Sequence, residues 1–100
     1  MYTSAAKVLT EIGIEIELLR GLKKENQKLS IYCSIPNGLL KIYHLRAASE
    51  ELITLIGLDS KGVETHFCVT SSAIQVAMRL EPKEAGDKER PIVVDGFTPK

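Results

Sequence analysis

The chain has no tryptophan, two cysteines, three tyrosines and two phenylalanines among its 100 residues. Two cysteines do not make the disulfide framework of a small secreted domain, which usually carries several. Cys33, Cys68 and the two histidines also miss the paired spacing of a zinc site. Buried free thiols are the expectation for both cysteines. Charge of one sign is lacking too, because thirteen Lys/Arg balance thirteen Asp/Glu. That balance excludes a bulk polyanion binder, a basic tail and an acidic disordered chain. No apolar run approaches the roughly 20 residues of a membrane helix, so no membrane partner is expected. The N-terminus lacks the basic start, apolar stretch and small-residue cleavage site of a signal peptide, which makes the cytoplasm the expected location. No Walker loop and no Gly-x-Gly-x-x-Gly fingerprint occurs, and no cofactor is expected.

What remains is an ordinary composition, 44% apolar and 26% charged, at a length suited to one domain. A chain this short buries only about 60–70% of its unfolded surface. Its core must be efficient or shared with a partner subunit.

Residues 4–28 carry two periodicities. Ala5, Leu9, Ile12, Ile16 and Leu19 form a helical stripe, and Thr3 or Ser4 can cap it. Ile12, Ile14, Ile16 and Leu18 also alternate with Gly13, Glu15 and Glu17 as a strand would. The unbroken length from Ser4 to about Lys24 exceeds a usual strand and favours a helix ending near Asn26.

Strand patterns follow. Leu29, Ile31, Cys33 and Ile35 alternate with polar residues, and Pro36-Asn37-Gly38 supplies turn chemistry. Leu39–Ala47, Leu52–Leu58, Val63–Val69 and Ile74–Leu80 read as four more strands, with a tight connection at Asp59-Ser60-Lys61-Gly62. Five closely spaced antiparallel strands suggest a small barrel. From Glu81 to Arg90 the only apolar side chain is Ala85, a linker composition. Ile92-Val93-Val94 is β-branched and needs an edge to bury it, on its own sheet or on a neighbour's. Residues 1–80 thus form a single small barrel domain with a leading helix. Residues 81–100 form a polar hinge and a C-terminal strand-like tail.

A leading helix, Leu29-Ser30-Ile31-Tyr32, Asn37-Gly38, three further strands and a closing segment resemble the Sm-like and Hfq barrels, which are SH3-like. The likeness covers roughly residues 4–80. Its nearest stretch is Cys68-Val69-Thr70-Ser71-Ser72-Ala73-Ile74-Gln75-Val76, which resembles the Hfq segment where Tyr-Lys-His precedes Ala-Ile-Ser. The resemblance implies a ring-forming oligomer and single-stranded RNA binding. The family's uridine-reading triplet is replaced here by Thr70, Ser71 and Ser72, which offer no stacking ring, cation or imidazole. The glycine that bends the family's second strand is also missing from Leu39–Ala47.

Catalytic patterns are thin. Glu50-Glu51 lie in a turn and point to opposite sides of an extended chain. Ser71-Ser72 lack a Gly-x-Ser-x-Gly elbow and read as a cap. His44, His66 and Cys68 could meet across strands as metal ligands, with nothing local to mark a site. The one basic concentration is Arg20, Lys23, Lys24 and Lys28. Three of these, Arg20, Lys24 and Lys28, share one face of a continuing helix, where they could contact phosphates or simply complement the helix dipole.

The sequence therefore predicts a mainly β, α+β fold: a small antiparallel SH3/Sm-like barrel with an N-terminal helix and a C-terminal strand extension. It predicts no enzyme and no metal site. The expected function is an oligomeric interaction module, either Sm-like binding of single-stranded RNA through Arg20, Lys23, Lys24 and Lys28, or a protein-binding adaptor using an exposed strand edge. Self-association is expected to involve Ile92, Val93 and Val94.

Overall fold

A computed structural model describes residues 4–86 and 90–95. The elements in chain order are α1 (Ala5–Leu22), β1 (Gln27–Ile35), β2 (Gly38–Ala47), β3 (Leu52–Leu58), β4 (Glu64–Thr70), β5 (Ala77–Pro82) and β6 (Val93–Asp95). The fold is α+β, one helix against a mostly antiparallel six-stranded sheet in the order β4-β3-β2-β1-β5. β6 adds to β2 in parallel. The sheet does not close on itself, because β4 and β5 stand at its two ends and do not pair with each other.

Ser4 caps α1, its hydroxyl oxygen accepting the Lys7 N–H at 3.1 Å. The Ala5 N–H donates to the Glu50 carbonyl at 2.7 Å and ties the helix start to the β2–β3 connection. Thr3, the other candidate cap, lies outside the described residues. The helical stripe is the one the sequence shows: Ala5, Leu9, Ile12 and Ile16 are buried. They meet Leu29, Ile31 and Cys33 of β1, Leu40, Ile42 and Leu45 of β2, and Ile53 and Leu55 of β3.

The helix ends earlier than its composition suggests, at Leu22 rather than near Asn26. Lys23 is already extended, and the Gln27 side chain accepts the Lys24 N–H at 3.0 Å while the Gln27 N–H donates to the Lys24 carbonyl. This local turn competes with further helix and starts β1 two residues before the first buried strand position. Consequently Arg20, Lys24 and Lys28 do not share a helical face.

Two hairpins set the register. Ile35 pairs with Gly38 across Pro36-Asn37, and Gly38 has a φ of 129° that only glycine holds comfortably. Asp59 Oδ1 accepts the Lys61 and Val63 N–H groups, both at 2.9 Å, and closes the β3–β4 turn. β1 is shared, pairing with β5 over residues 27–32 and with β2 over residues 31–35. β2 has a bulge between Ile42 and His44, which leaves Tyr43 out of the ladder to β3. Ile74 to Val76, expected as part of the fifth strand, are unpaired chain, and β5 begins at Ala77. The expected linker is shorter at its start, since β5 runs on to Pro82; its residues 87–89 lie outside the described residues.

Cys33 is buried, and burial pushes its thiol pKa up. Cys68, expected to be buried, is exposed: as the alternating partner of Phe67 and Val69 it falls on the outer face of β4.

Candidate interaction surfaces

Three surfaces stand out, beginning with the two ends of the sheet. Among the described residues β4 pairs only with β3, and β5 only with β1, so each carries a row of backbone donors and acceptors with no strand opposite. Both ends have apolar inner faces that are only half-buried, Phe67 and Val69 on β4 and Met78 and Leu80 on β5. The connection between them is flanked by two recesses. One, of about 400 Å³, lies between Val8 and Ile12 of α1 and Ile74, Val76 and Met78. The other, of about 200 Å³, lies among Cys33, Leu55, Phe67, Val69 and Ile74. An open sheet therefore leaves its seam apolar.

The second surface is cationic. Arg20, in the last turn of α1, pairs with Glu17 at 2.5 Å and donates from Nη2 to the Ile92 carbonyl at 3.3 Å. Lys23 donates from Nζ to the Gln27 carbonyl at 3.1 Å. With Arg90 they surround a recess of about 330 Å³ floored by Leu29, Pro91 and Ile92. Two of the four predicted cations thus converge. Lys24 stands in the turn after the helix, and Lys28 lies on β1 opposite Glu81. Arg90 escaped the sequence reading because Arg20 and Lys23, with which it shares the recess, stand 70 and 67 positions earlier in the chain.

The third surface is the C-terminal segment. Ile92 and Val94 are half-buried against the core and Val93 is exposed. They add to the chain's own β2, with His44, Leu45 and Arg46 opposite Val93, Val94 and Asp95. The His44 Nε2 lies 2.6 Å from Asp95 Oδ2, and the Arg90 guanidinium lies 3.5 Å from the Tyr43 ring centroid. The bulge explains the second contact, since it releases Tyr43 to reach both Arg90 and, through its hydroxyl, Glu64.

A polar group sits on the outer face of β1 and β5. The Tyr32 hydroxyl donates to Glu81 Oε1 at 2.8 Å. Burial, helped by that hydrogen bond, raises the Tyr32 pKa. The Ser30 hydroxyl is buried and has no partner at good hydrogen-bond geometry, yet it lies near enough to favour the ionised Glu81. Ser30 and Tyr32 together hold the Glu81 carboxyl below its usual range, against the opposing effect of its partial burial.

The candidate metal ligands are dispersed, whereas Glu50-Glu51 and Ser71-Ser72 are neighbours, the Ser71 N–H donating to the Glu51 carbonyl at 2.8 Å. His44 faces Asp95, His66 lies 4.0 Å from Glu64, and Cys68 Sγ lies 3.7 Å from the Thr54 hydroxyl. Among the described residues no three His, Cys, Asp or Glu are placed to hold a metal ion. Likewise no described helix is long and apolar enough to cross a membrane. No protein-family model, curated protein or solved structure matches the chain.

Proposed function

We propose that the chain is a non-enzymatic interaction module that works as a homo-oligomer, in the manner of an Sm-like assembly. The observation that carries this reading is the pair of edges, at opposite ends of one sheet, that have no strand opposite them among the described residues. They are different strands, so the edge of β4 meets the edge of β5 on the next copy. Such a contact is heterologous and generates rings when its rotation closes. It also covers the half-buried Phe67, Val69, Met78 and Leu80 and the apolar recesses beside them. Covering these edges removes an aggregation hazard that an isolated copy presents. The module works in the cytoplasm. Its mass in solution is the test, and only the 11.0 kDa species at micromolar concentration would refute it.

The ligand we assign is single-stranded RNA, held by its backbone. Arg20 and Lys23 converge with Arg90 at one recess, and Lys24 is exposed next to it. Thr70, Ser71 and Ser72 cannot stack a base or supply charge. Affinity is then set by phosphate contacts, falls steeply with salt and varies little with sequence. Replacing Lys23 and Lys24 by Glu abolishes it. Uridine-specific binding that survives this double change would place the RNA elsewhere. If an exposed edge instead captures a protein segment and RNA does not bind at low salt, the module is an adaptor.

A further inference from the structure

Residues 90–95 lie on β2 as a peptide lies on a sheet edge. β1 leaves β2 after Ile42, and the backbone edge from His44 to Arg46 is filled by β6 in parallel. Three side chains of the body grip the segment. Tyr43 stacks under the Arg90 guanidinium at 3.5 Å, Arg20 donates to the Ile92 carbonyl at 3.3 Å, and His44 meets the Asp95 carboxylate at 2.6 Å. Between these contacts Ile92 and Val94 turn inward, while Pro91 and Val93 face out. The edge therefore reads a pattern: a cation, then two apolar residues at alternate positions, then a carboxylate.

From this geometry we propose that the β2 edge at Tyr43–Arg46, with Arg20, is a strand-acceptor site for an extended segment of a partner protein carrying that cation-x-apolar-x-apolar-acid pattern. The chain's own residues 90–95 are its tethered stand-in. Strand addition draws affinity from the main chain and specificity from alternate side chains, and this edge supplies both. The resident strand is a weak occupant. It is three residues long, its two inward side chains are only half-buried, and Asp95 is exposed. Its occupancy rests on covalent attachment, which makes docking intramolecular at an effective concentration of about millimolar. A foreign strand with the same pattern and larger apolar residues at the two half-buried inward positions covers more apolar surface and displaces it. Exchange with a second copy replaces identical contacts and forfeits the tether, so it gains nothing. The site uses neither β4 nor β5, and its test is independent of the edge-to-edge assembly.

The probe is a fluorescent hexapeptide, Arg-Pro-Ile-Val-Val-Asp, titrated by anisotropy against the full-length chain and against full-length I92D/V94D, whose own strand cannot dock. Binding should be at least about tenfold tighter to the variant, because the tethered strand no longer competes for the edge. Adding His44→Ala should reverse most of that gain, and so should a peptide ending in Asn. Should I92D/V94D fail to fold, the pair Arg90→Ala and Asp95→Asn loosens the segment without touching an inward side chain and should show the same order. No binding to a folded undocked variant would overturn the proposal. Equal affinity for both chains, or indifference to His44→Ala, would do the same. A wild-type dimer dispersed by I92D/V94D would assign the edge to a second copy, and the partner-segment proposal would fall.

Discussion

Gly57 of β3 lies so close to Lys41 of β2 that a Cβ built on it would stand 2.0 Å from the Lys41 carbonyl oxygen. The carbonyl carbon and the Ile42 Cα would also lie within 3.0 Å, at 2.7 and 2.9 Å. The contact sits just before the bulge at Tyr43, where β2 ceases to pair with β1 and begins to pair with β6. A bulge on β2 and a glycine on β3 thus meet at one point of the sheet. Gly57→Ala must push backbone against backbone. It is expected to cost at least about 2 kcal/mol in urea unfolding. A loss below about 0.5 kcal/mol would show that the strands separate freely here.

The two faces of α1 should respond differently. Leu9 is 1% exposed, whereas Leu18 is 57% exposed in a row with Ile14 and Leu22. Leu9→Ala is expected to cost about 2–5 kcal/mol. Leu18→Gln, measured in the dissociated chain, should stay within about 0.5 kcal/mol. Equal costs would mean that the helix is rotated from the orientation described.

The Tyr32–Glu81 hydrogen bond gives a pH dependence with two limbs. Glu81 is held below its ordinary carboxylate value of 4.5, so its contribution is present above that value and fades as pH falls through the folded one. Tyr32 is raised above 10.0, so its contribution is present below that value and fades as pH rises through the folded one. Tyr43, raised chiefly by its hydrogen bond to Glu64, adds to the alkaline limb. Tyr32→Phe should destabilise most at neutral pH and least in acid. A stability difference that is constant from acid to neutral pH would remove this hydrogen bond from the account.

Much of the fold was legible because it is local. Ser4 beside a four-and-three apolar stripe marks a capped helix. Alternation through Leu29–Ile35 marks a strand, and Asn37-Gly38 and Asp59–Gly62 mark the hairpins. Features set at long range were not legible. Nothing near Gln27 announces that its side chain turns the chain and ends the helix at Leu22. Nothing in Ile74–Val76 shows that these strand-forming residues go unpaired, because β1 receives β5 only from Ala77 onward. The candidate surfaces divide in the same way. The cluster of cations showed in the sequence, but its splitting between helix, turn and β1 did not. The Ile92–Val94 strand showed too, whereas its parallel partner on β2 depends on a bulge that no residue of Leu39–Ala47 signals.

Self-assembly through the β4 and β5 edges is tested by sedimentation velocity of the untagged chain at micromolar concentration. A stable species at a multiple of 11.0 kDa is expected, with a mass that holds on dilution through the micromolar range. A single 11.0 kDa species throughout that range would contradict it.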